Sequence, residues 1–180
     1  DLWEQINKDM ATIGIVGEKG TKGVLYLGMT LRKSPRAPSL ELAAPSGTGK
    51  SFVVLAVVRF FPEEDVSCAT RITTHYLDYL PEDSLVGKIF IVIERGGTEE
   101  AGYSLRMLTD DTSAGIVIGY LKKDPDTGDM VAAQRTVKGP LCHIRTTTKL
   151  EGQPEDESRV FTAFLDDSEK QRRGVHENIK

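Results

Sequence analysis

Eight residues, Ala44-Pro45-Ser46-Gly47-Thr48-Gly49-Lys50-Ser51, join the run Leu40 to Ala43 to the apolar run Phe52 to Val58. A short strand, a glycine-bearing loop and a buried helix is the context that a phosphate-binding loop requires. Gly47 and Gly49 let the backbone turn its N–H groups inward onto phosphate oxygens. A helix beginning near Lys50 points the positive end of its dipole at the same anion. Lys50 can reach the β- and γ-phosphates of a nucleotide, and the Ser51 hydroxyl can ligate Mg²⁺. The expected phosphate cradle is therefore Pro45, Ser46, Gly47, Thr48, Gly49, Lys50 and Ser51. One departure stands out: Ala44 occupies the position where such loops usually begin with Gly.

The remaining chain supplies the setting for that loop. Its 180 residues suit one domain with a sizeable core. No apolar stretch approaches the roughly 20 residues of a membrane span, and no signal peptide is read at the start. An initial Asp1 rather than Met suggests a piece of something longer. Two cysteines, Cys68 and Cys142, make neither a disulfide framework nor a zinc motif. A reducing, cytoplasmic setting follows as the default. The net charge of −4 argues against a protein that coats nucleic acid over its whole surface, so any DNA contact must be local.

Periodicity divides the chain into alternating elements. Helices are expected over 2–10 and 21–30, before a breaker at Ser34-Pro35-Arg36-Ala37-Pro38. Strand one is read over Ser39–Ala43 and its helix over Phe52–Phe60. That helix carries no charge until Arg59, so it is expected to be buried. Strand two follows at 66–70, a helix at 73–80, and strand three at 88–93. Ile89-Phe90-Ile91-Val92-Ile93 is the strongest buried-strand signal present. A helix is expected from Thr98 to Leu108. Ile116 to Lys122 and Met130 to Val137 flank Asp124-Pro125-Asp126-Thr127-Gly128-Asp129 and read as a β-hairpin. Strands four and five are expected at 141–146 and 160–165, and a polar tail follows from Ser168. Strands separated by helices predict an α/β fold of three αβα layers around a mostly parallel five-stranded sheet, with the hairpin inserted. Residues 1–38 form a helical lead-in, 39–168 the core, and 169–180 the start of a C-terminal extension.

Further candidates lie at strand ends. Strand three ends in Ile93-Glu94-Arg95, where a carboxylate can hold the Mg²⁺ shell or orient an attacking water. Only Glu94 is acidic there, and the base role is favoured because transfer to water needs a group that orients it. The hydroxyls of Thr146-Thr147-Thr148, ending strand four, can meet a γ-phosphate or the attacking water; β-propensity and helix capping would also account for them. Arg159, before strand five, can stabilise charge in a neighbouring subunit's site, although taken in isolation a surface ion pair with Glu155, Asp156 and Glu157 is the better account. Lys122 and Lys123 near the hairpin tip, with Arg135 and Lys138 on the return, suit a nucleic-acid backbone, while Asp124, Asp126 and Asp129 dilute that patch.

The order of these parts (phosphate loop, strand ending in Glu94, helix, hairpin, strand ending in Thr147-Thr148, then Arg159) resembles the AAA+ ATPases that carry a hairpin before the sensor strand. Val137-Lys138-Gly139-Pro140, Thr146 to Thr148, and Phe164-Leu165-Asp166-Asp167-Ser168-Glu169-Lys170-Gln171 are similar to the ATPase domains found with zinc-finger and Toprim primase modules in bacteria and mobile elements. The resemblance covers about residues 1–171. It implies a sheet of order 5-1-4-3-2, ATP and Mg²⁺ on Lys50 and Ser51, and Glu94 in hydrolysis and at the metal. It further implies Thr147 or Thr148 as sensor, Arg159 as a finger across a ring interface, expected to be a homohexamer, and DNA as the partner. Little sequence follows Gln171, so the usual helical lid is expected to be largely absent. Two other functions stay open: an ATP-dependent protein remodeller, and a nucleotide-binding assembly module without turnover.

Overall fold

The computed structural model describes residues 1–73, 75–93, 105, 107–109, 115–148 and 160–178. Two helices lead in, α1 (Leu2–Thr12) and α2 (Lys19–Thr30). Asp1 opens the first by accepting a hydrogen bond from the Trp3 N–H at 3.0 Å, the usual device for an otherwise orphaned N-terminal donor. Among the described residues seven strands follow in order: β1 (Ser39–Ala43), β2 (Val66–Ala69), β3 (Ile89–Val92), β4 (Ile116–Lys123), β5 (Met130–Val137), β6 (Cys142–Thr147) and β7 (Val160–Phe164). Helix α3 (Lys50–Val58) follows β1, and α4 (Glu169–Asn178) follows β7. Residues 105 and 107–109 are helical.

Five strands form one sheet in the order β2-β3-β6-β1-β7, and every pairing in it is parallel. The sequence-based order numbered only these five strands. In chain numbering the hairpin takes the labels β4 and β5, which pair antiparallel with each other as a separate ribbon.

Both faces of the central strands are covered, which is why β1, β3 and β6 are buried along their whole length. On one face Leu40, Leu42, Ile89, Ile91 and Ile144 meet Met10 of α1, Leu25 and Met29 of α2, and Val54 and Val57 of α3. On the other face Phe90 and Val92 meet Leu105, Leu108, Val137 and Leu141. Helices on one face and a helical stretch on the other make an α/β arrangement compatible with three layers.

Two expectations about helices need correction. Helix α3 is not buried all round: Val53, Val54, Ala56 and Val57 are, but Phe52 is 52% exposed and Leu55 37%. The absence of charge describes composition, whereas burial follows from which stripe faces the sheet. Among the described residues of the expected helix at 73–80 there is a single 3₁₀ turn, Leu77–Tyr79. Pro81 disfavours helical backbone at Leu80, and Leu77 is buried in the second core cluster while Tyr79 is exposed.

Candidate phosphate loop and strand-end crevice

The loop from Ala44 to Gly49 leaves the C-terminal end of β1 and enters α3. Gly47 (φ 81°) and Gly49 (φ 87°) both lie in the left-handed region, where a side chain costs about 1–2 kcal/mol. A Cβ at either would meet nothing within 4 Å, so backbone conformation rather than crowding requires glycine there. Gly49 is the N-terminal flank of α3, and no side chain among the described residues caps that helix. Its first N–H groups are thus left to the loop.

Lys50 folds back across this loop. Its Nζ donates to the carbonyl oxygens of Ala44 and Pro45, each at 2.7 Å. The Thr48 hydroxyl donates to the same Pro45 carbonyl at 2.8 Å. Burial pulls the Lys50 ammonium below its ordinary pKa. Ala44 is also accounted for. Its methyl packs in the core with Leu42 and Val54, and its N–H donates to the Thr147 carbonyl at 3.2 Å. Alanine at the start of the loop therefore adds core packing without disturbing the turn.

That last bond brings the loop to the end of β6. Thr147 stands opposite Ala43 in the β1–β6 register and is buried, while Thr148 is exposed. Thr146 reaches the other way, donating its hydroxyl to the Ile93 carbonyl just past β3. The ends of β1, β3 and β6 are thereby tied together on one side of the sheet, where open α/β sheets bind ligands. Pro45 to Ser51 and Thr147 are brought together there. Glu94 and Arg159 lie outside the described residues.

The crevice has a buried polar feature that sequence reasoning missed. Glu41 of β1 faces Arg145 of β6 in register, and the guanidinium Nε donates to the Glu41 carboxylate. One rung further from the loop, the Ser39 hydroxyl lies 3.3 Å from His143 Nδ1. A Glu inside Ser-Leu-Glu-Leu-Ala and an Arg inside Cys-His-Ile-Arg-Thr-Thr are each out of place in a buried strand. That anomaly was the available signal.

Beside the crevice, the segment 13–18 touches several elements. Gly14 lies against the Phe52 ring at the start of α3, and Gly17 against the Gln171 side chain of α4. Gln171 Nε2 donates to the Val16 carbonyl at 2.7 Å. Glu18, itself left-handed at φ 52°, accepts from the Asp166 N–H at 2.9 Å, and burial raises its pKa.

The hairpin stands apart from this region. Ile116, Ile118 and Val137 fasten its root to the second core cluster. Lys138 adds an ion pair to Glu82 at 2.7 Å. The turn is closed by the Asp124 N–H donating to the Asp129 carbonyl at 2.8 Å, and the Asp124 carboxylate accepts from the Asp126 N–H, also at 2.8 Å. Strand alternation separates the two expected nucleic-acid residues. Lys122 shares a face with Tyr120, Val131, Ala133 and Arg135. Lys123 shares the other with Val117, Leu121 and Met130, all three well exposed. The Arg135 guanidinium lies over the Tyr120 ring, 5.8 Å from its centroid.

Among the described residues no helix is long and apolar enough to cross a membrane. No family model matches the chain, and no curated protein matches it. Among solved structures it is similar to the C-terminal region of NrS-1 in its A-form apo structure, with 14% identity and a TM-score of 0.43. That alignment covers 97% of this chain and 42% of the other, so the chain spans less than half the length of that region.

Proposed function

We propose that the chain is an ATP-binding and ATP-hydrolysing motor domain that acts on DNA, the helicase-like module of a primase–helicase protein, built as an AAA+ P-loop ATPase with a hairpin before its sensor strand. The observation that carries this reading is the junction of β1 and α3. Two left-handed glycines, an N-terminus without a side-chain cap and a lysine curled over the loop meet at the C-terminal edge of a parallel sheet. Backbone N–H groups and the helix dipole bind phosphate there. Lys50 exchanges its two loop carbonyls for β- and γ-phosphate oxygens.

Thr147, whose carbonyl accepts from the Ala44 N–H, and Thr148 after it supply the β6 hydroxyls for such a γ-phosphate. Glu94 orients the attacking water, and Arg159 acts across an interface between copies in a ring. The hydroxyl of Ser51 and the carboxylate of Glu94 are hard oxygen ligands of the kind Mg²⁺ prefers, and the ion would neutralise charge between the β- and γ-phosphates. Lys122 on the hairpin contacts the DNA backbone, and Lys123, on the opposite face, joins it where a strand wraps the tip.

A steady-state ATPase measurement with and without single-stranded DNA tests the reading. DNA-stimulated turnover that Lys50→Ala abolishes supports it. Nucleotide binding that is indifferent to Lys50→Ala overturns it. A second reading, remodelling of a protein partner, draws on the exposed apolar ribbon face of Val117, Leu121 and Met130. It predicts turnover stimulated by that protein and unaffected by DNA.

A further inference from the structure

We propose that Glu41 and Arg145 are positioning residues that set where Thr147 stands relative to Lys50; the inference rests on the nucleotide reading above. The pair is buried, at 4% and 8% exposure, between two strands of a parallel sheet. Stability alone does not account for it, because a buried ion pair about breaks even with well-packed apolar side chains. What it does specify is register.

The apolar pattern of β1 and β6 leaves register open in one particular way. Leu40 stands opposite Ile144 in the observed pairing. A slip by one residue is excluded, since it would turn apolar side chains to the wrong face. A slip by two residues keeps every face. Leu40 would then meet Cys142 and Leu42 would meet Ile144, all apolar and all on the same side of the sheet. The other face resists that slip. It would move Glu41 opposite His143 and strand Arg145 opposite Ala43, leaving a buried guanidinium without its carboxylate. Charge thus decides between two registers that hydrophobicity does not distinguish, the best-attested use of buried polar pairs.

The consequence falls on the site. Two residues of strand amount to about 6.6 Å. In the observed register Ala44 donates to the Thr147 carbonyl at 3.2 Å, and the β6 hydroxyl end lies at the start of the loop. Displaced by two residues, Thr147 would leave that position. The loop would lose the Ala44 bond to Thr147 but keep its course into α3, because both continue directly from β1. Loss of the pair should therefore spare the contacts an ADP makes and remove those made only to a γ-phosphate.

The test compares affinities for ADP and for a non-hydrolysable ATP analogue by calorimetry. The proteins are the unaltered chain, the apolar double variant Glu41→Leu/Arg145→Met, and Glu41→Gln. The unaltered chain should prefer the triphosphate. In the double variant that preference should fall by about tenfold, the size of one lost hydrogen bond to a charged group, while ADP affinity stays within about threefold and the thermal midpoint is unchanged or raised. Glu41→Gln keeps one acceptor for Arg145 and should lose about threefold of the preference; it carries the test if the double variant does not fold. A preference that survives both substitutions, or an unaltered chain that prefers neither nucleotide, overturns the inference. A chain that binds neither nucleotide overturns the phosphate-site reading instead.

Discussion

The strand-end crevice and the hairpin are built in opposite ways. The crevice gathers residues far apart in sequence: Ala44 meets Thr147, Ile93 meets Thr146, and Glu41 meets Arg145. The ends of β1, β3 and β6 that bound it belong to strands buried on both faces. The hairpin pairs residues across one six-residue turn and, among the described residues, is fastened at its root. It carries two cations near its tip, Lys122 and Lys123, a third, Arg135, opposite Ile118 nearer the root, and no acid outside the turn. A site made of long-range contacts can hold an ion at a set distance. A ribbon made of local contacts can move as a lever on a fixed root. On the proposed function, chemistry would fall to the first region and grip to the second.

That division can be broken by experiment. The largest effect should come from Lys50→Ala, which is expected to weaken ATP binding at least about 100-fold by calorimetry, as removal of a charge-assisted contact to phosphate does. It should leave affinity for single-stranded DNA untouched, and a parallel loss of DNA binding would dissolve the distinction between the regions. Gly49→Ala comes next. The left-handed backbone should cost about 1–2 kcal/mol, read as a thermal midpoint lowered by a few degrees, with no clash to relieve. Thr146→Val removes a bond to the Ile93 carbonyl and should cost about 1 kcal/mol in denaturant unfolding. A larger loss in turnover than in stability would mark that bond as part of the crevice.

The smallest effect sharpens the comparison most. Lys122 and Lys123 are neighbours in sequence but stand on opposite faces of the ribbon. Lys122→Glu should weaken binding of an oligothymidine several-fold and reduce its logarithmic salt slope by about 0.7, because Tyr120 and Arg135 on the same face offer stacking and charge. Lys123→Glu should change it by less than about twofold. Equal losses would mean that a strand wraps the hairpin tip rather than lying along one face.

How much of this was legible beforehand depended on the range of the interaction. The bounds of β1 and the hairpin pairing were readable because apolar runs and turn residues act locally. The loop was readable because its conformational demands fall on two glycines. The helix expected at 73–80 was not, since a few aromatic and aliphatic residues mimic helical spacing over one turn and only the following proline argues otherwise. The exposure of Phe52 and Leu55 was unreadable because it depends on where the sheet lies. Glu41 and Arg145 were missed for a related reason: each looks like an isolated charge until β1 and β6 are set side by side. Sheet order came from the family resemblance rather than from any periodicity. The candidate roles of Glu94 and Arg159 fall outside the described residues.

The two cysteines acquire a use from their positions. Cys68 is exposed on the edge strand β2, whereas Cys142 is buried on β6, where burial pushes its thiol up to about 12. Only a thiolate attacks a disulfide reagent; partial burial raises the Cys68 thiol as well, but with its exposure it should react first while Cys142 waits. The delay is a stopwatch on the sheet itself. It counts how often the strand carrying Arg145 and Thr147 parts from its neighbours, and any nucleotide that clamps those strands together should be seen to slow it.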